Sequence, residues 1–326
     1  MHAGQELIAL GSAHGNPHDR FIPDCPKDHF AEARDRLCTL VGRMADRVEE
    51  GGCGMRILVS VDMEGIAGVV DGDDIRPGHA EYERNRVLLT AEASAAVRGV
   101  CTYDADARVL VTEAHAAFRN LLPERLDRRA ELLRGTPKPW GMMSGLDEDI
   151  DAVVFIGYHG KAGTPRSVMA HTISGGVIAD VRCNSRSLGE LGLNTALAAH
   201  WGVPAVLVAG DDSVAAEAAD VAPGMRSVVV KHALGARAAA LLHPDEACDR
   251  IEHEVPKALA DRESVKPLRF DGPVVLEVEV LRTRMTEHAL LVPGMELADG
   301  RTVRYAAPDF PTAYQVSELI ALLGAL

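Results

Sequence analysis

Short, uninterrupted runs of aliphatic and β-branched residues recur through the middle of this chain: MRILVSV (55–61), ARVLVTE (107–113), DAVVFIG (151–157), PAVLVAG (204–210) and SVVVK (227–231). A strand that is apolar on both faces must lie inside a sheet covered on both sides, which is the situation of parallel sheets. Helical patterns fall between them, notably EYERNRVLLTAEASAAVRGV (81–100) and GELGLNTALAAHWG (189–202). The alternation predicts an α/β fold, a mainly parallel sheet with helices on both faces. After Pro273 the pattern changes to VVLEVEVL, a loop around VPGME, RTVRYAA and a closing helix PTAYQVSELIALLGAL, which predicts a smaller C-terminal α+β unit. The expected division is an α/β catalytic domain over 55–232 and the smaller unit over 233–326.

Residues 1–54 stand apart from this pattern. They are rich in turn formers until AEARDRLCTLVGRMADRVEE (31–50), which sets Leu37, Leu40, Val41, Met44 and Val48 on one helical stripe. One amphipathic helix cannot make a domain alone. Either the segment is an N-terminal extension that packs on the body or on a partner subunit, or the functional chain begins at Met55, directly before the first strand.

Charge narrows the partners. With 34 basic and 48 acidic residues the formal charge is −14, which disfavours nucleic acid or an anionic membrane surface and suits metal ions or a cationic substrate group. The 6 cysteines are scattered without CxxC spacing, as reduced intracellular thiols would be. No run approaches the roughly 18 apolar residues of a membrane helix. The N-terminus lacks a basic stretch followed by an apolar one, so a cytoplasmic protein is expected.

Open parallel sheets bind ligands at the carboxyl ends of their strands. Those ends carry Asp62 and Glu64 in VSVDMEGIAG, Glu113 and His115 in VTEAHAAF, His159 in IGYHGKAGTP, and Asp211 and Asp212 in VAGDD. Met63 separates Asp62 from Glu64, and residues two apart in extended backbone point the same way. Carboxylate oxygens and imidazole nitrogens are the ligands of catalytic zinc. Each has a plainer alternative: an Asp after a strand is commonly a turn or N-cap residue, His159 a hydrogen-bonded loop histidine, His171 a core histidine, and Glu190 a first-turn acid. Their joint placement leaves a metal site built from dispersed strand-end ligands as a candidate. GxGxxG, GxxxxGK[ST], HExxH and GxSxG are all absent, and HEVPK at His253 fails because Lys257 stands fifth. That weighs against a dinucleotide-binding oxidoreductase, a P-loop NTPase, a thermolysin-like protease and a serine hydrolase.

In order and spacing, SVDMEGIAG, EAHAAFRNL, FIGYHGKAGTPRSVMAHT, GELGLNTALAAHWGVPAVLVAGDD, VKPL, LVPGMELADGRTVRY and TAYQ resemble the bacterial zinc-dependent D-aminopeptidase family of dipeptide-transport operons. The resemblance runs from Met55 nearly to the C-terminus. It implies two Zn2+ per subunit, a ring-shaped homo-oligomer, and release of N-terminal D-amino acids from short peptides. It also implies Asp62 as bridging ligand, Glu64, His115, His159 and Glu190 as further ligands, and His171 as the catalytic residue, either acid/base or nucleophile. One departure is Glu113, where family members often carry Asp two residues before the histidine; that position would orient His115 from behind. Asp211 and Asp212 match the family's AGDD without an assigned ligand role and are expected to support the site or the fold. Three rivals remain: a hydrolase of L-peptides or another peptide-like amide on the same site, a non-catalytic metal-stabilised oligomer that binds peptides, and an oxidoreductase on the same sheet.

Overall fold

The computed structural model describes residues 54–326, so the helix expected within 31–50 lies outside the described residues. The first half of the fold runs β1 (Arg56–Val61), α1 (Ala80–Tyr103), β2 (Arg108–Glu113), β3 (Ala130–Leu133), β4 (Ala152–Tyr158), β5 (Ile178–Cys183), β6 (Arg186–Leu188), α2 (Glu190–His200) and β7 (Ala205–Asp211). The rest is α3 (Asp212–Val221), β8 (Arg226–Gly235), β9 (Ala238–Leu241), α4 (Pro244–Ala260), β10 (Val274–Val280), α5 (Thr283–Ala289), β11 (Met295–Leu297), β12 (Thr302–Ala307) and α6 (Phe310–Gly324).

The expected α/β architecture is present. The larger sheet has seven strands in the order β3-β2-β1-β4-β7-β8-β9, parallel throughout except for the β8–β9 hairpin. β4 and β7 are buried at every residue, which is why their sequences read as continuous apolar runs. Alternation divides their side chains between two cores. Ile57, Val59, Val61, Val154 and Ile156 pack with α1 and α4 on one face. Leu58, Val153, Phe155 and Val208 pack with α2, α3, α6 and the smaller sheet on the other.

The smaller sheet is antiparallel, in the order β11-β12-β10-β5-β6. It joins residues 178–188 to residues 274–307, and β8 runs through residue 233, so the two sheets are interleaved along the chain. β10 shows why VVLEVEV reads differently from β4: its side chains alternate buried and solvent-facing, the mark of a sheet wet on one side. No helix among the described residues is long and apolar enough to cross a membrane.

Strand order locates the site. From β1 the chain winds outward to β2 and β3, then returns to place β4 on the other side of β1. At such a reversal the connections leave in opposite directions and open a crevice between the two strand ends. The register sets Val61 level with Glu113 of β2 and Ile156 of β4, so the residues that follow all three strands emerge at one edge.

Candidate metal centre

Asp62 leaves β1 with its N–H still donating to Ile156 O at 2.8 Å, and Gly65 N–H donates to Gly157 O at 2.7 Å. The strand end is thus zipped to β4 while Asp62 and Glu64 turn their side chains inward. Both are buried, as are His115, His159 and Glu190. The Asp62 carboxylate divides its two oxygens: Oδ1 lies 3.6 Å from His115 Nδ1 and Oδ2 lies 3.4 Å from His159 Nε2. On the first side Glu64 Oε2 stands 2.9 Å from His115 Nδ1. On the second, Glu190 Oε2 is 3.4 Å from His159 Nε2. His171 Nε2 faces the gap between the two, 3.9 Å from Glu64 Oε1 and 3.7 Å from Glu190 Oε1. Its ring stacks on that of His159 at a centroid distance of 4.3 Å.

Two groups of donors follow: Asp62, Glu64 and His115, and His159, His171 and Glu190, each with one ligand atom per residue within 4.8 Å of the others. The donors fit zinc in chemistry and orientation. His159 Nδ1 is engaged by Gly160 O at 3.0 Å and His171 Nδ1 by Met169 O at 2.9 Å, which turns both Nε2 atoms towards the cleft. Glu64 Oε2 and His159 Nε2 are buried without a hydrogen-bond partner. Buried polar atoms in that state are costly, and a cation held in each donor group would satisfy the one that belongs to it.

Titration follows from the same crowding. Burial alone would raise the Asp62 carboxyl, but the imidazoles of His115 and His159 overcome it and hold Asp62 well below the usual carboxylate range. Burial alone would pull His115 down; Glu64 and Asp62 instead push it up to about 10. His159 is likewise lifted well above its ordinary value, against burial, by Glu190 and Asp62. Cation and anion in this cluster therefore stabilise one another, and protons occupy nitrogens that a metal would take.

The surrounding shell holds these groups still. Glu190 opens α2, where the helix N-terminus favours a carboxylate, and its Oε1 accepts the Ile173 N–H at 2.6 Å. Ile173 reaches that bond from the left-handed region, φ 61°, a strained setting for a β-branched residue. Glu113 reaches His115 through Asn120: it accepts from the Asn120 N–H, and Asn120 Nδ2 donates to the backbone O of His115 at 2.8 Å. Burial pushes the Glu113 carboxyl up.

Asp211 is buried and accepts from Ser167 Oγ at 3.1 Å and Val168 N at 3.3 Å, which ties down the loop that carries His171. Its other oxygen caps α3 through Val214 N at 2.9 Å. Asp212 instead is half-buried, accepting the Ala233 N–H at 3.0 Å with His232 beside it. Asn120, Ile173 and the buried Lys231 and Glu92 were not legible as parts of the site. Asn120 and Ile173 act through bonds to backbone groups, which no residue pattern marks.

A mainly parallel sheet with buried imidazoles and carboxylates gathered at its reversal point defines a metal-dependent hydrolase of the α/β class. Within that class the chain belongs to the D-aminopeptidase family, whose model matches residues 55–319. It is 37% identical over 266 residues to a D-aminopeptidase of Bacillus subtilis (strain 168), covering 80% of this chain and 94% of that protein. Among solved structures it is similar to the Zn-dependent D-aminopeptidase DppA from Bacillus subtilis, described as a self-compartmentalizing protease. The TM-score is 0.80 at 35% identity, over 83% of this chain and 98% of that one.

Proposed function

We propose that this protein is a two-zinc aminopeptidase that hydrolyses the N-terminal amide bond of short peptides and releases D-amino acids such as D-Ala. The observation that carries the reading is the Asp62 carboxylate, whose two oxygens face two separate ligand groups across one cleft. Asp62 would bridge the ions, with Glu64 and His115 completing one site and His159 and Glu190 the other. When bound, the zinc pair supplies polarisation of the scissile carbonyl and lowers the pKa of the attacking water.

The chain's own groups do the rest. His171 is the one imidazole of the cluster with appreciable access, its side chain 21% exposed against 1% for His159. With Nδ1 held by Met169 O, its Nε2 is free to take a proton from the attacking water and return it to the departing amine, which makes it the acid/base residue. The carboxylates lining the cleft attract a free α-amino group, which favours cleavage next to the N-terminus. The family match and the two D-aminopeptidase relatives support the D-stereochemistry, and the self-compartmentalizing relative supports assembly into a ring-shaped homo-oligomer.

The test is metal analysis of wild type beside Asp62→Ala and His159→Ala, with hydrolysis of matched D-Ala and L-Ala peptides. Two zinc ions in wild type, fewer in both variants, and turnover of the D-peptide alone are expected. Variants that keep both ions and full activity would sink the ligand assignment. Equal or L-preferring turnover would sink the stereochemistry, and metal-loaded wild type inert on every peptide would favour a binding role.

A further inference from the structure

Lys231 lies on β8, paired with Asp211 of the neighbouring strand, and its side chain is wholly buried. A buried ammonium is costly unless it is fully engaged. Here all three of its donors go to backbone carbonyls of one loop: Glu64 O, Ile66 O at 3.0 Å and Val69 O at 2.7 Å. Asp211, Glu92, Glu64 and Asp74 act on it at longer range, and its hydrogen bonds go to the carbonyls. The cation is therefore spent on shaping the chain that follows β1.

Three carbonyls from residues 64, 66 and 69 can converge on one nitrogen only if the segment curls around it. Glu92 holds the same curl from α1, its Oε1 accepting the Ala67 N–H at 2.8 Å. Gly65 permits the close approach to β4, since a Cβ there would meet Tyr158 O at 1.9 Å. The curl fixes where the backbone of Glu64 stands, and so where its carboxylate joins that of Asp62 at His115 Nδ1. Every one of these contacts comes from the protein itself.

We propose that Lys231 is a positioning residue that pre-forms the Asp62–Val69 loop for the ion held by Asp62, Glu64 and His115, and thereby sets that ion's affinity apart from the affinity at His159 and Glu190. It rests on the two-ion reading above. Without the cation, Glu64 O and Val69 O lose the partner that Lys231 gives them and Ile66 O keeps only the Val69 N–H at 3.4 Å, so the loop must open to hydrate them. Of the second ion's ligands, His159 and Glu190 make no contact with Lys231, and the bridging Asp62 is held at the β1 end of the loop by its own N–H bond to Ile156 O at 2.8 Å, so that site keeps its place.

Two measurements test this. In the first, hydrogen exchange is followed in metal-free wild type. The amides of Gly65, Ala67 and Val69 are expected to be protected to the level of β1 before zinc is added; rapid exchange that slows only with zinc would overturn the proposal. In the second, Zn2+ alone is titrated into wild type and Lys231→Met against a competing chelator, with circular dichroism to show that the variant is folded. One binding event is expected to weaken about 10- to 100-fold, the range for losing a group that orients a ligand, while the other stays within about threefold. A folded variant with both affinities unchanged, or both weakened alike, would overturn it. If Lys231→Met does not fold, the exchange result on wild type decides. A wild-type stoichiometry of one ion would overturn the two-ion reading instead, and the Lys231 assignment would then stand or fall on loop protection and the change in that single affinity.

Discussion

His171 differs from its neighbours in a way that predicts its behaviour. Asp62, Glu64, His115, His159 and Glu190 are buried and mutually engaged, whereas His171 lies partly exposed over the gap between Glu64 and Glu190. A group that moves protons without holding the ions can be removed without emptying the site. His171→Ala should lower kcat on a D-Ala peptide about 10²- to 10⁴-fold, the usual span for a general acid/base, while zinc content stays at the wild-type value. Loss of an ion in that variant would make His171 a ligand instead. The histidines proposed as ligands predict a pH dependence of their own. His115 has an ordinary value of 6.5 and rises to about 10 in the metal-free fold, so its contribution to stability is complete below pH 6.5 and is lost as pH climbs towards 10. Asp62, held below its ordinary 3.8, contributes above that value and loses its share as pH falls beneath it. The metal-free protein should therefore melt highest between about pH 4 and 6.5, with Tm falling from there to pH 10. Zinc needs neutral imidazoles, so its binding at pH 7 should release about two protons, from His115 and His159. Calorimetric titration in buffers of different protonation enthalpy checks this; zero release would mean that both rings are already neutral.

The seam between β1 and β4 is where strand geometry becomes site geometry. Gly157 sits at φ +73°, and a Cβ there would lie 1.9 Å from Asp62 O. Gly157→Ala combines a strained backbone with a backbone clash, together about 2–4 kcal/mol. Denaturant unfolding should show that loss, and zinc affinity should fall with it because the clash falls on Asp62; an unchanged midpoint would show that the seam gives way freely. The same strands explain how much was legible beforehand. Runs such as DAVVFIG and PAVLVAG match β4 (Ala152–Tyr158) and β7 (Ala205–Asp211) to within a residue, because full burial leaves an unbroken apolar signature. The strand-end acids and histidines were readable for the same reason, since a parallel sheet puts all those ends at one edge. β5 and β6 were not: IADVRC and RSL are half polar, and β5 finds its partner in β10 nearly a hundred residues on. β3, with the sequence AELL, is an edge strand whose burial is only partial. Lys231 read as the polar end of a strand because its partners are carbonyls, which every residue possesses. Asp212, grouped in the sequence with Asp211, is half-buried at the start of α3 and bonds the Ala233 N–H of β8.

Assembly is the property that one subunit expresses least directly. Leu234, Leu291, Leu322 and Leu326 are each more than 60% exposed, on the β8–β9 hairpin, the turn after α5 and the end of α6. Standing singly, they mark no interface by themselves; the proposed ring rests on the self-compartmentalizing relative, and a closed ring needs two contact faces on every subunit. If the proposed ring encloses its active sites, it would screen substrates by size, because a peptide would have to pass the opening before meeting His171. The assembly prediction therefore has two linked parts. Light scattering on the purified protein should give a mass several times the 34.8 kDa of one chain, and the assembled enzyme should cleave D-Ala dipeptides and tripeptides while leaving an unfolded protein such as casein intact. A stable 34.8 kDa monomer with full peptidase activity would remove the ring from the account. An assembled enzyme that degrades casein as readily as a tripeptide would keep the ring but deny it the task of sorting substrates by length.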